Sequence, residues 1–278
     1  MVSCAKYEDE SLIPSYIQIE KIDVSNSSSQ GSSSSYISDA WVYLDGGERG
    51  TFPLPARIPL LASGKHTIKI EAGIKLNGVS ATRVPYPLLE PIEMEIDLQK
   101  DSIIPVSANL RYRSNTHFEF IEDFEGANQR FESTDFGTAE WGISSNATNP
   151  SWVFEGLHSG LGRITEEDNF LQIITKDEFT NLPKNGVPVF IELDFKTNTT
   201  IILSVVGYTN GISDVEDLIN LNPTEEWKKI YINLTSTLSY QPDVHVYKFL
   251  ISANHNSSLD ESIVLIDNFK IVYREVEK

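Results

Sequence analysis

The sequence predicts an all-β chain built as two tandem β-sandwiches. Three observations carry that expectation. Apolar and polar residues alternate with period two in one segment after another, turn-forming residues separate those segments at short intervals, and the 278 residues suffice for two small cores. The 40% hydrophobic content is that of a folded protein rather than a disordered acidic chain.

In the first half, Tyr16–Ile22, Thr67–Glu71 and Ile92–Leu98 alternate as half-buried strands do. Ser25 to Ser35 holds eight serines in eleven residues and reads as a low-complexity loop able to cross a sheet edge without structure of its own. Trp41-Val42-Tyr43-Leu44 leads into Asp45-Gly46, the signature of a tight hairpin turn. In the second half, Val189–Phe195, Ile230–Leu234 and Ile263–Tyr273 repeat the alternation, and the one helical turn expected lies at Asp214–Ile219. The predicted organisation is a tether over 1–14, a first sandwich over 15–114 that carries the serine-rich loop 25–35, and a second sandwich over 115–278.

Charge narrows the function. There are 22 Lys and Arg against 40 Asp and Glu, a net charge of −18. Up to Ser114 the balance is −3, and from Asn115 onward it is −15. A nucleic-acid backbone is excluded as the main partner, because such binding depends on Lys and Arg neutralising phosphate. The acidic second half is compatible with cation binding and with a solvated surface alike. No run of 18 apolar residues is present to span a bilayer as a helix, which leaves anchoring by another route open.

Met1-Val2-Ser3-Cys4 resembles the end of a bacterial lipobox, which implies lipidation at Cys4. The following Ala5-Lys6-Tyr7-Glu8-Asp9-Glu10 resembles the export patch of surface lipoproteins of Bacteroidetes and implies outer-membrane attachment, facing the medium or the periplasm. Residues 36–72, with the apolar strand, Asp45-Gly46, Gly50-Thr51-Phe52-Pro53 and Gly64-Lys65-His66, resemble the PEGA-type module, a non-catalytic immunoglobulin-like sandwich of bacterial envelope proteins. Arg83 and Tyr86 beyond it fit either a recognition patch or a packed loop. In the second half, Asp123-Phe124-Glu125-Gly126 and Ile266-Asp267-Asn268-Phe269 resemble the opening and closing strands of jelly-roll domains of the galactose-binding-like, carbohydrate-binding-module type. That likeness implies a jelly roll from about 118 to 275.

In a regular strand Asp267 shares a face with Leu265, Phe269 and Ile271, so its carboxylate needs a partner. The jelly-roll resemblance implies a structural calcium held by Asp123, Glu125 and Asp267. A bulge at Asp267-Asn268 or pairing with Arg163 answers the same need. No nucleophile, metal-protease or phosphate-loop motif is present, and the five histidines are scattered, so an enzyme is not expected. Two functions follow from the resemblances. One is a structural or docking lipoprotein subunit of an outer-membrane complex for secretion, motility or uptake. The alternative is a carbohydrate-binding or adhesion protein, with Trp141, Trp152 and Tyr208 against sugar rings.

Overall fold

The structure is a computed structural model that describes residues 13–275. Cys4 lies outside the described residues. The chain divides into two compact units, the first comprising residues up to 25 with 35–75 and 81–113, the second 26–34, 76–80 and 114 onward.

In the first unit, β1 (Ser15–Ile19) pairs antiparallel with β5 (Ala56–Leu60) and parallel with β9 (Ile103–Pro105), while β2 (Ile22–Ser25) lies parallel to β10 (Ala108–Arg111). A further sheet has the order β4 (Gly47–Pro53), β3 (Asp39–Leu44), β6 (Gly64–Lys75) and β7 (Arg83–Pro85), with β8 (Ile92–Leu98) also on β6. The alternation read from sequence is the burial pattern: Ile17 and Ile19 on β1 and Ile68, Ile70 and Ile74 on β6 are fully or almost fully buried. Asp45 and Gly46 have φ of 52° and 77°, the two left-handed residues that a type I′ hairpin between β3 and β4 demands. Arg83 pairs with the buried Asp39 and Tyr86 is buried, so of the two readings of this segment the packed loop is the one observed.

The second unit is a jelly-roll sandwich of two antiparallel sheets. One has the order β13 (Glu140–Ile143), β14 (Gly160–Ile164), β21 (Ser262–Arg274), β16 (Val189–Thr197) and β19 (Lys228–Asn233), with β11 (Thr116–Glu122) also on β21. The other has the order β12 (Phe131–Ser133), β15 (Phe170–Thr175), β20 (Val246–Asn254), β17 (Ile201–Thr209) and β18 (Ile212–Leu221). Between them lies one apolar core, to which β16 gives Ile191 and Leu193, β17 Leu203 and Val205, β20 Phe249 and Ile251, and β21 Ile266, Phe269 and Ile271. Phe120 stands edge-on to Phe131, Phe179 and Phe269 in it.

Two local expectations are corrected. Asp214–Ile219 is not helical but the middle of β18. Asn210 and Gly211, with φ of 51° and 81°, form a two-residue turn that folds this segment back on β17. The helix-like spacing of Val215, Leu218 and Ile219 comes from a register shift between Leu203 and Ser204 of the partner strand, opposite Leu218. The short helix is instead α1 (Thr235–Tyr240), which buries Leu238. The serine-rich segment also has structure of its own. Ser28–Gln30 forms a 3₁₀ turn, the Ser34 hydroxyl donates to Asp194 at 2.9 Å, and the Ser32 carbonyl accepts from the Lys270 ammonium at 2.5 Å.

Candidate functional site

The five-stranded sheet has one face in the core and one turned away from it. Leu171 and Ile173 point inward on β15, as do Leu203 and Val205 on β17 and Phe249, Ile251 and Ala253 on β20, so the intervening residues form the outer face. The register sets them in rows. Gln172, Ser252, Ile202 and Asn220 lie across four strands in one row, and Ile174, Leu250, Ser204 and Asp217 in the next. Lys248, Val206 and Val215 follow, then Val246, Tyr208 and Ser213.

Although no strand among the described residues pairs over this face, its centre is sunk: Ser204, Val206, Leu250 and Ser252 keep only 1%, 4%, 8% and 8% of their exposure. The rims stand clear, with Val215 54% exposed and Asp217 and Asn220 exposed. The Ser204 hydroxyl donates to Asp217 at 2.7 Å, and Thr134 donates to the Gln172 amide oxygen at 2.7 Å, which leaves the Gln172 amide nitrogen directed elsewhere. Lys248, the Asn220 amide and the Tyr208 hydroxyl have no hydrogen-bond or ion-pair partner among the described residues. The face therefore presents an ammonium, amides and a phenol around an aliphatic and serine floor, all carried on strands rather than on loops.

The three aromatic residues expected to form a ligand site are not brought together. Trp141 lies on β13 of the other sheet and points into the sandwich, its ring edge-on to Phe124 and Phe131 at 6.1 and 6.5 Å. Gly160 makes room for it, since a Cβ there would lie 2.6 Å from the Trp141 ring. Trp152 closes a 3₁₀ turn over Pro150–Trp152, half-buried, and its carbonyl accepts from the Ser144 hydroxyl at 2.8 Å. Of the three, only Tyr208 stands on the outer face of the five-stranded sheet. Gln172, Lys248, Asp217 and Asn220 were not singled out in the sequence. Their common face follows from alternation within each strand, but their rows follow from register, and register is not written in any one segment.

The three carboxylates expected to share a calcium are likewise apart in their bonding. Asp123 is exposed and accepts from the Glu125 amide at 3.2 Å, and Glu125 accepts from the amides of Leu157 and His158 at 2.7 and 2.9 Å. Asp267 accepts from the Ser159 hydroxyl at 2.6 Å and the Asn268 amide at 2.7 Å. Among the described residues no group of three His, Cys, Asp or Glu side chains is placed to hold a metal ion. Arg163 pairs with Glu261 instead of Asp267. Burial pushes the Asp267 carboxyl up to about 8, so at neutral pH it is largely an uncharged acid.

No protein-family model matches the chain. No curated protein matches it either. Among solved structures it is similar to a xylan-binding domain of family CBM22, formally x6b, at 12% identity over 58% of this chain and 97% of that one, with a TM-score of 0.41. It is similar to the CBM22-1–CBM22-2 tandem domain of Paenibacillus barcinonensis Xyn10C at 12% identity, over 86% of this chain and 74% of that one, with a TM-score of 0.41. The family 11 carbohydrate-binding module of Clostridium thermocellum, in complex with a β-1,3-1,4-mixed-linked tetrasaccharide, is 13% identical over 59% of this chain and 97% of that one, with a TM-score of 0.37.

Proposed function

We propose that the second unit is a non-catalytic glycan-binding module and that the outer face of its five-stranded sheet is the site. One observation carries this reading: polar groups of three kinds with no partner among the described residues, the Lys248 ammonium, the nitrogen of the Gln172 amide with the Asn220 amide, and the Tyr208 phenol, surround a sunken floor of Ser204, Ser252, Ile202, Val206 and Leu250. A sugar ring is amphipathic in the complementary sense. Its C–H faces suit the aliphatic floor, and its rim of hydroxyls accepts from an ammonium and both donates to and accepts from an amide. Strand-borne side chains lose little further freedom on binding, which suits a site whose individual hydrogen bonds are weak in net terms.

The test is isothermal calorimetry and a glycan array with neutral hexasaccharides of xylose, glucose and mannose. Binding by the intact chain is expected, with Gln172→Ala and Tyr208→Ala each weakening it by about 1–2 kcal/mol, roughly tenfold. Trp152→Ala serves as the control, with affinity unchanged. Absence of binding to every hexasaccharide at millimolar concentration overturns the reading.

A further inference from the structure

Lys184 belongs to no strand of the sheet, and yet its ammonium is bound at the end where Tyr208 stands. Its three N–H groups are all used by backbone carbonyls of one short loop: Gln241 at 2.7 Å, Pro242 at 2.9 Å and Val244 at 2.6 Å. Three carbonyls converging on one ammonium curl the 241–245 loop around it, and charge-assisted bonds of this length are the strong kind. Desolvation holds the Lys184 ammonium below the usual lysine range, with the Asp243 carboxylate opposing the drop. The Tyr247 hydroxyl adds a 3.3 Å bond to the Gln241 carbonyl, and the Gln241 amide donates to Glu216 of β18 at 2.8 Å.

The loop in turn meets β17 at a glycine. A Cβ on Gly207 would lie 2.9 and 3.2 Å from the two methyls of Val244, so Val244 occupies the space that a side chain at 207 would need. Gly207 separates Val206 from Tyr208, both on the outer face, and pairs with Tyr247, while Tyr208 pairs with Val246. Thr209 reaches the same loop through the Asp243 carbonyl at 3.4 Å. A continuous path of contacts thus runs from the Lys184 ammonium through three carbonyls to Val244, Gly207 and Tyr208.

We propose that Lys184 is a positioning residue for the glycan face: it fixes the 241–245 loop, and the loop fixes the Gly207–Tyr208 end of β17. The inference rests on the reading of that face as the binding site. Its structural half is independent of any ligand. Hydrogen exchange of the free intact protein reads that half. Lys184→Met is expected to speed exchange at both 241–246 and 207–211 by about tenfold, while the far end of β17 at 201–203 keeps its protection. Gly207→Ala reproduces the effect by pushing Val244 away, and Gly207→Ala with Val244→Ala restores slow exchange, because the removed methyls return the space. Faster exchange confined to 241–246 overturns the proposal, as does failure of the double variant to restore protection. Should Lys184→Met not fold, the Gly207 and Val244 variants decide alone.

Affinity for xylohexaose and cellohexaose reads the functional half, with Lys184→Met about tenfold weaker than wild type. Faster exchange at 207–211 with unchanged hexasaccharide affinity refutes positioning of the site. If wild type binds neither sugar while the exchange pattern is as expected, the glycan reading fails and the loop clamp stands.

Discussion

Asp267 faces neither the core nor water. Asn268, with φ of 49°, is the extra residue of a bulge, so Ile266 and Phe269 both point into the core and the two residues between them turn to the opposite face. The carboxylate leaves the apolar core, as a bulge requires, but it is covered on that opposite face and keeps only 1% of its exposure. Burial raises its pKa to about 8 from the ordinary 3.8, with the Asp194 and Glu155 carboxylates adding to the rise and the Ser159 hydroxyl and Asn268 amide opposing it. The folded protein therefore binds a proton that the unfolded chain releases. Its contribution is fully present below about pH 4 and is lost as pH rises toward about 8, by up to about 1.4 kcal/mol per unit traversed. Lys270, lowered to about 8 by burial, changes stability only between that value and its ordinary 10.5. Glu122 and Asp194, raised by burial, and His66, raised by its bond to Asp45, act below pH 8 as well, so it is the difference between an Asp267 variant and wild type that isolates Asp267. Asp267→Asn is expected to gain stability relative to wild type as pH rises from 5 to 8, measured as the urea midpoint at each pH. A difference independent of pH would mean that the buried carboxyl is already ionised at pH 5.

At the level of elements, legibility follows burial. β16 is apolar at Val189, Ile191, Leu193 and Phe195, and its place in the sandwich is visible in the sequence because those inward positions repeat with period two. β18 was not legible. Its outer end is exposed on both faces, so Ser213, Asp214, Glu216 and Asp217 give no apolar stripe, and the register shift opposite Leu218 produces a helical spacing at its buried end. The informative signal was the turn, Asn210-Gly211, not the strand. The rows on the outer face were illegible for a related reason: each row takes one residue from each of several strands, and only long-range pairing aligns them. The turn supplies a direct test. Nothing lies within 4 Å of a Cβ on Gly211, so Gly211→Ala meets no clash and pays only for φ of 81°. A loss of about 1 kcal/mol in urea unfolding with unchanged m-value is expected. An unchanged midpoint would contradict a left-handed residue at 211.

Across the whole molecule, the second unit is not continuous in sequence, and the break at Ser114 does not separate it from the rest of the chain. Residues 26–34 and 76–80 belong to it, and each makes bonds to its six-stranded sheet. Ser34 donates to Asp194, which also pairs with Lys229 at 3.1 Å and accepts from the Asn268 amide at 3.1 Å. Ser32 accepts from Lys270, a lysine with no exposed surface, and Gly31 packs where a Cβ would sit 3.3 Å from its stem. Asn77 accepts from the Asn233 amide at 2.8 Å and donates its own amide to the Tyr231 carbonyl at 3.0 Å. A fragment covering 114–278 retains every strand of the jelly roll but leaves Lys270, Asp194 and Asn233 without these partners. Each buried polar group left unpaired costs about 1–3 kcal/mol, more for the charged ones. The fragment is therefore expected to unfold at a urea concentration well below that at which the second unit unfolds in the intact chain, with the change followed through Trp227 and Trp141 fluorescence. Equal midpoints would mean that the serine-rich segment and residues 76–80 add nothing to the unit, and that the buried charges of β16, β19 and β21 satisfy one another.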